Sequence, residues 1–299
     1  MSERPSTARV WLLATRPATL TAALAPVLVG AAASAHALGP LRVRWAAVLA
    51  AALGATFIQI GTNLANDVFD YEKGADTAER LGPLRVTQAG LLTPRQVRGG
   101  MVASFALAAL AGVYLITVAG WPIVVIGLAS IASGVAYTGG PYPLGYNGLG
   151  DVFVFLFFGL VAVCGTALVA VGDVPWTAWA AAVPVGALAT AVLVVNNVRD
   201  HETDVKAGKR TLVVRHGRGF GVVEYAALWA LALAVPVALA VSLNAPWMAL
   251  PLLTLPAAMR LTRAVSGTLG KALNPLLGAT ARMLLVHSLL ATVGFALSR

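Results

Sequence analysis

Two short segments hold eight of the chain's twelve acidic residues. The first reads Asn63-Leu-Ala-Asn66-Asp67-Val-Phe-Asp70 and runs on through Glu72, Asp76 and Glu79. The second reads Asn196-Asn197-Val-Arg199-Asp200-His-Glu202-Thr-Asp204. Asn63 to Asp67 is a step of four, Asp67 to Asp70 a step of three, and Asn196, Asp200 and Asp204 follow at fours. On a helix each set lies along one side. Asn63 and Asp67 recur as Asn196 and Asp200 at a constant offset of 133 residues. Like charges so spaced repel, and an aspartate at the centre of a membrane helix costs ~2.5–3.5 kcal/mol, less toward its ends. A hard divalent cation relieves both problems, and Mg2+ is typically held by one or two carboxylates together with substrate phosphates. The chemistry suggested is metal-assisted binding of a diphosphate. Glu72, Asp76, Glu79 and Glu202 read equally as solvated loop charges.

The elements that must position these residues follow from composition. Of 299 residues, 59% are hydrophobic and 11% charged, against about 25% charged in soluble domains. So few charges cannot solvate a surface of this size, and the class is an all-α integral membrane protein. A spanning helix needs about 20 apolar residues. Nine stretches qualify: 18–36, 45–65, 99–118, 121–139, 150–171, 175–197, 219–242, 246–264 and 278–298. Pro246, Pro251 and Pro256 interrupt the eighth, where a kink is expected. The first stretch, preceded by Arg4, Arg9 and Arg16, also resembles a signal peptide, but it is long and others follow, so it is read as a retained span.

Lys and Arg set the orientation. With the N-terminus cytoplasmic, 17 basic residues fall inside and three outside. The net charge of +9 is thus a topological signature, and no basic run interleaved with aromatics points to nucleic acid. Each acidic segment directly follows an apolar span, the second and the sixth, and four crossings separate them, so both emerge on one face. Cys164 lies alone in an apolar run, and His36, His201, His216 and His287 have no ligand spacing.

Four motifs in order, together with the span count, resemble the UbiA superfamily of intramembrane aromatic prenyltransferases over nearly the whole chain. They are Asn63–Asp76 (NLANDVFDYEKGAD), Arg85–Leu92 (RVTQAGLL), Tyr137–Gly159 (YTGGPYPLGYNGLGDVFVFLFFG) and Asn196–Leu212 (NNVRDHETDVKAGKRTL). Arg16-Pro17-Ala-Thr19-Leu20 also fits. Within the superfamily the likeness is greatest to the branch that prenylates 1,4-dihydroxy-2-naphthoate in menaquinone synthesis. The resemblance implies one domain over 1–299, nine helices around a central cavity in two four-helix-like halves, with the motifs at 63–76 and 196–212. It implies a Mg2+-dependent polyprenyltransferase of the cell membrane, taking a polyprenyl diphosphate and dihydroxynaphthoate at a site open to the cytoplasm.

The resemblance also assigns roles. Asn63, Asp67, Asp70, Asp76, Asn197, Asp200 and Asp204 would hold the diphosphate through Mg2+, with Asp67, Asp70, Asp200, Asp204 and Arg199 taking part in its departure. Arg199, Lys206, Lys209 and Arg210 would meet phosphate oxygens, although a cytoplasmic loop carries such charge in any case. Asn66, Arg85, Gln88, Tyr137, Tyr146 and Asp151 complete the expected substrate contacts. Asp151 either orients an acceptor hydroxyl or complements a helix N-terminus. Phe153, Phe155, Phe157 and Phe158 either line the path of the cation and tail or are plain packing. Rival readings are a branch acting on 4-hydroxybenzoate or homogentisate, and a membrane transporter.

Overall fold

The computed structural model describes residues 5–75 and 80–298, so Asp76 and Glu79 lie outside the described residues. Every regular element among these residues is helical. A short helix α1 (Thr7–Thr15) leads into α2 (Pro17–Leu38), followed by α3 (Trp45–Glu72), α4 (Pro94–Ala119) and α5 (Pro122–Ala136). Then come α6 (Gly150–Val171), α7 (Trp176–Lys206) and α8 (Arg218–Ser242). A 3-10 stretch, Pro246–Thr254, runs into α9 (Leu255–Gly267), and α10 (Asn274–Leu297) ends the bundle. Proline opens α2, α4 and α5, where its missing N–H costs nothing. Thr93 and Gln96 close a reciprocal capping box at the start of α4.

Among the described residues, seven helical segments are long and apolar enough to cross a membrane. The two other apolar stretches read from the sequence are helical but different in kind. α5 has 15 residues. The eighth stretch is more than kinked, because Pro246 and Pro251 supply no N–H and the chain winds as a 3-10 helix for nine residues. α9 beyond it keeps Arg260 and Arg263 exposed and Ala258 and Val265 buried.

The interior is built from small residues, which bring backbones close where lipid supplies no hydrophobic drive. α7 is the central helix and packs on α2, α6, α8 and α10. Where α6 crosses it, a Cβ on Gly159 would stand 2.8 Å from the Ala182 carbonyl oxygen and from the Cα of Gly186. On the other side of α6, Gly30 of α2 meets the Val163 carbonyl oxygen just as closely, at 2.5 Å from a notional Cβ. Only glycine permits these two crossings. Between Phe155 and Val161, α6 widens into a π-helix, a form found mostly as single turns near functional sites.

Candidate active site

The C-terminal ends of α3 and α7 bring the two acidic segments to one end of a cavity of about 820 Å3. On α3 the cavity stripe is Gly54, Ile58, Gln59, Thr62, Asn63, Asn66 and Asp70. On α7 it is Ala189, Leu193, Asn196, Asn197, Asp200 and Asp204. Both stripes have helical spacing and change from apolar to polar along their length. The cavity therefore has an anionic, amide-rich end and an apolar remainder.

Asp70 is fully engaged. Arg85 donates to its Oδ2 at 2.8 Å and Tyr146 to its Oδ1 at 2.8 Å. Tyr146 belongs to the loop between α5 and α6, and its ring lies between two ammonium groups, Lys73 Nζ at 5.2 Å and Lys209 Nζ at 5.0 Å from the centroid. Lys209 also pairs with Asp204 at 3.0 Å. Tyr146 thus touches Asp70 of the first segment and Lys209 of the second. The same loop is tied down by Lys73, which donates to the Thr138 carbonyl at 2.6 Å, and by Thr138, which donates to Asn66 at 2.9 Å. The Arg210 amide donates to the Tyr146 carbonyl at 2.6 Å.

Not every expected residue faces the cavity. Asp67 sits next to the α3 stripe, and its two oxygens accept the backbone N–H groups of Thr87 at 3.1 Å and Val86 at 3.2 Å. It therefore fixes the loop that carries Arg85. Arg199 is likewise not part of the lining but buried behind it, donating to the lining residues Asp200 and, at 2.6 Å, Asn196, and to Asn274 at 2.9 Å. Lys206 and Arg210 are exposed, and Gln88 is half-buried away from the lining. Asp151 is buried in the first turn of α6, off the wall, and its Oδ1 has no hydrogen-bond partner among the described residues. It adjoins Tyr137, whose hydroxyl would lie 2.9 Å from a Cβ on Gly150. Phe153, Phe157 and Phe158 line the cavity, and Phe155 packs on Gly186 instead.

Arg16 joins the site without having been expected there. It forms the corner between α1 and α2 with φ 51° and ψ 70°, a left-handed conformation costly for a residue with a Cβ. Its guanidinium lines the cavity, and its Nη2 is buried with no partner among the described residues. Burial first, then the positive charges of Arg85 and Arg80, pull its pKa below the usual arginine range. An anion bound here would relieve both effects. In the sequence Arg16 entered only as a topological charge and as part of a stretch that fits the resemblance, with no role at the site.

A model of the UbiA prenyltransferase family matches residues 23–275. The chain belongs to the UbiA prenyltransferase family. It is 41% identical to a 1,4-dihydroxy-2-naphthoate octaprenyltransferase of Mycobacterium tuberculosis, over 93% of this chain and 94% of that one. It is 35% identical to the Escherichia coli protein of the same name, over 98% and 97%. Among solved structures, a UbiA homologue from Archaeoglobus fulgidus bound to GPP and Mg2+ matches with TM-score 0.67 at 15% identity, covering 95% of this chain and 99% of that one. An apo UbiA homologue from Aeropyrum pernix matches with TM-score 0.67 at 17% identity, over 93% and 96%. The protein is a prenyltransferase with a UbiA fold.

The donor set of this UbiA chain can be tested against Mg2+ directly. Among the described residues no three carboxylate, imidazole or thiol groups converge into a ready-made cage. Asp70, Asp200 and Asp204 instead line one cavity end with amide side chains beside them. Hard oxygen donors too few to enclose an ion fit Mg2+, which completes its shell with phosphate and water.

Proposed function

We propose that this protein transfers a polyprenyl group from an allylic diphosphate to 1,4-dihydroxy-2-naphthoate, releasing diphosphate and CO2 and giving demethylmenaquinol, the reduced form of demethylmenaquinone. The observation that carries the reading is a single cavity with Asp70, Asp200, Asp204 and Lys209 at one end and an apolar chamber at the other. A diphosphate belongs at the first and an isoprenoid tail in the second. The chain's identity to naphthoate octaprenyltransferases supports the choice of acceptor.

Mg2+ arriving with the diphosphate would neutralise charge as the leaving group departs. Asp70, Asp200 and Asp204, with Asn63 and Asn197, would hold it, and Asp76 extends the motif. Lys209, Arg85 and Arg16 would meet phosphate oxygens, adding preorganised positive charge where negative charge builds up. The C–O bond breaks with its electron pair going to the diphosphate. The ring carbon that bears the carboxylate then attacks the allylic cation, and the carboxylate leaves as CO2, returning its bonding pair to the ring. Tyr146 and its loop, strapped by Lys73 and Thr138, would exclude water that would otherwise trap the cation. Tyr137, which lines the cavity, would meet the acceptor, with Asp151 near it.

The chain forms one domain with nine crossings in this reading, α5 and the 246–267 segment completing the seven long spans. The N-terminus and the acidic ends of α3 and α7 lie on the cytoplasmic side of the cell membrane in this reading, which the distribution of basic residues supports. The test supplies membranes containing the protein with Mg2+, labelled polyprenyl diphosphate and each acceptor separately. A labelled lipid-soluble product is expected with dihydroxynaphthoate alone, and EDTA should abolish it. Turnover with 4-hydroxybenzoate alone would refute the acceptor, and no transfer to any aromatic would favour transport.

A further inference from the structure

Six glycines line the cavity, and they fall into two kinds. Gly134 and Gly145 are packing glycines, because a Cβ would lie 2.3 Å from Thr62 Oγ1 and 2.8 Å from the Tyr137 ring. The other four have room. A Cβ on Gly54 would be 3.7 Å from Ala111 and one on Gly165 would be 3.7 Å from Ile126, while Gly112 and Gly127 would meet nothing within 4 Å. These four come from four different helices, α3, α4, α5 and α6. Each sits mid-helix, where glycine is less stable than alanine. Close approach of backbones does not require any of them.

Their position is as informative as their number. Gly54 is about 24 Å along α3 from Asp70, taking ~1.5 Å per residue. Gly127 is about 15 Å along α5 from Tyr137 by the same rise. All four lie in the part of the cavity away from the acidic end. Beyond them Leu115, Ile123 and Val169 form a buried cluster that also lines the cavity.

The wall of α6 is continuous over the same depth. Its cavity residues run Phe153, Val154, Phe157, Phe158, Val161, Ala162, Gly165, Thr166 and Val169, at intervals of four. In a plain α-helix, at about 100° per residue, a repeat of four drifts by some 40° each time and would leave the cavity within a few turns. The π-helix at Phe155–Val161 takes up that drift by its wider turn.

We infer that Gly54, Gly112, Gly127 and Gly165 determine which donors are accepted, by making the chamber that receives the far isoprene units of the tail. This rests on the functional reading above. A geranyl tail of two units ends above the glycines, whereas an octaprenyl tail of eight units must pass among them. Side chains placed there should discriminate by tail length and leave the reacting end alone.

The experiment compares kcat/KM for octaprenyl and geranyl diphosphate with dihydroxynaphthoate and Mg2+. The variants are Gly54→Ala, Gly54→Val, Gly165→Ala and Gly165→Leu, with Gly99→Ala, exposed on α4 and outside the cavity, as the reference. The octaprenyl-to-geranyl ratio should fall stepwise with side-chain size, by at least tenfold for Gly165→Leu, from the cost of overfilling a packed space. The alanine variants add one carbon where there is room, so they keep the series readable if a larger variant does not fold. A ratio that stays constant across the series, whether or not total activity falls, would overturn the inference. A parent that prenylates no aromatic acceptor with either donor would overturn the functional reading, and this inference with it.

Discussion

Asp70→Ala should slow prenyl transfer by about a thousandfold, the upper range for losing one preorganised group that stabilises a departing charge. Two losses combine. The cavity's anionic end gives up one of the carboxylates that would share an ion with the diphosphate. Arg85, whose side chain is only 6% exposed, also loses its 2.8 Å partner, and Tyr146 loses the acceptor that seats its loop. Asp70→Asn keeps an oxygen for Tyr146 but no charge, so its loss should be smaller, about a hundredfold. Glu72→Ala is the comparison, two residues further along α3. Glu72 pairs with Arg98 at 2.6 Å on an exposed surface, and such pairs contribute little. Its activity should stay within about twofold of the parent. Measuring kcat for the three variants checks the order.

The largest effect on stability is expected from Arg199→Met. The Arg199 side chain has no exposed surface and joins Asn196, Asp200 and Asn274, so it ties α7 to the start of α10. Asn274 in turn donates to the Leu81 carbonyl at 2.8 Å, bringing in the loop before α4. Removing the cation leaves Asp200 charged, largely buried and unpaired, a situation worth about 3–5 kcal/mol. A drop of roughly 10 °C in the detergent melting temperature follows, at about 2–4 °C per kcal/mol for larger domains. Arg199→Lys restores a charge but not the planar fork and should recover only part of it. Lys209→Met, at a partly exposed pair, should lower activity with far less loss of stability. An unchanged melting temperature for Arg199→Met would dismiss the hub.

Much of the site was legible because it depends on spacing. Asparagines and aspartates at steps of three and four, after two apolar runs separated by an even number of crossings, already placed two carboxylate-bearing helix ends together. Spacing could not choose between adjoining stripes of one helix. Asn66 and Asp70 face the cavity while Asp67, a neighbour on the same turn, holds the backbone of Val86 and Thr87. Asp200 and Arg199 divide in the same way on α7. The place of Arg16 at the cavity was hidden because it depends on a left-handed corner between two helices. The π-helix of α6 and the 3-10 stretch at Pro246–Thr254 were hidden too, since an apolar run keeps the same composition however it is wound. The glycines carried no distinction in sequence; only the neighbours of each notional Cβ separate packing from room.

The central claim is that Asp70 of α3 and Asp200 and Asp204 of α7 grip one diphosphate through Mg2+, with the tail lying along α6. A structure of the protein with Mg2+ and a non-ionisable geranyl thiolodiphosphate tests this most directly. The expected result is ions between the diphosphate and carboxylates from both helices, Lys209 on a phosphate oxygen, and the geranyl group against Phe153. A diphosphate seated away from these carboxylates, or bound with no ion contacting either helix, would contradict it.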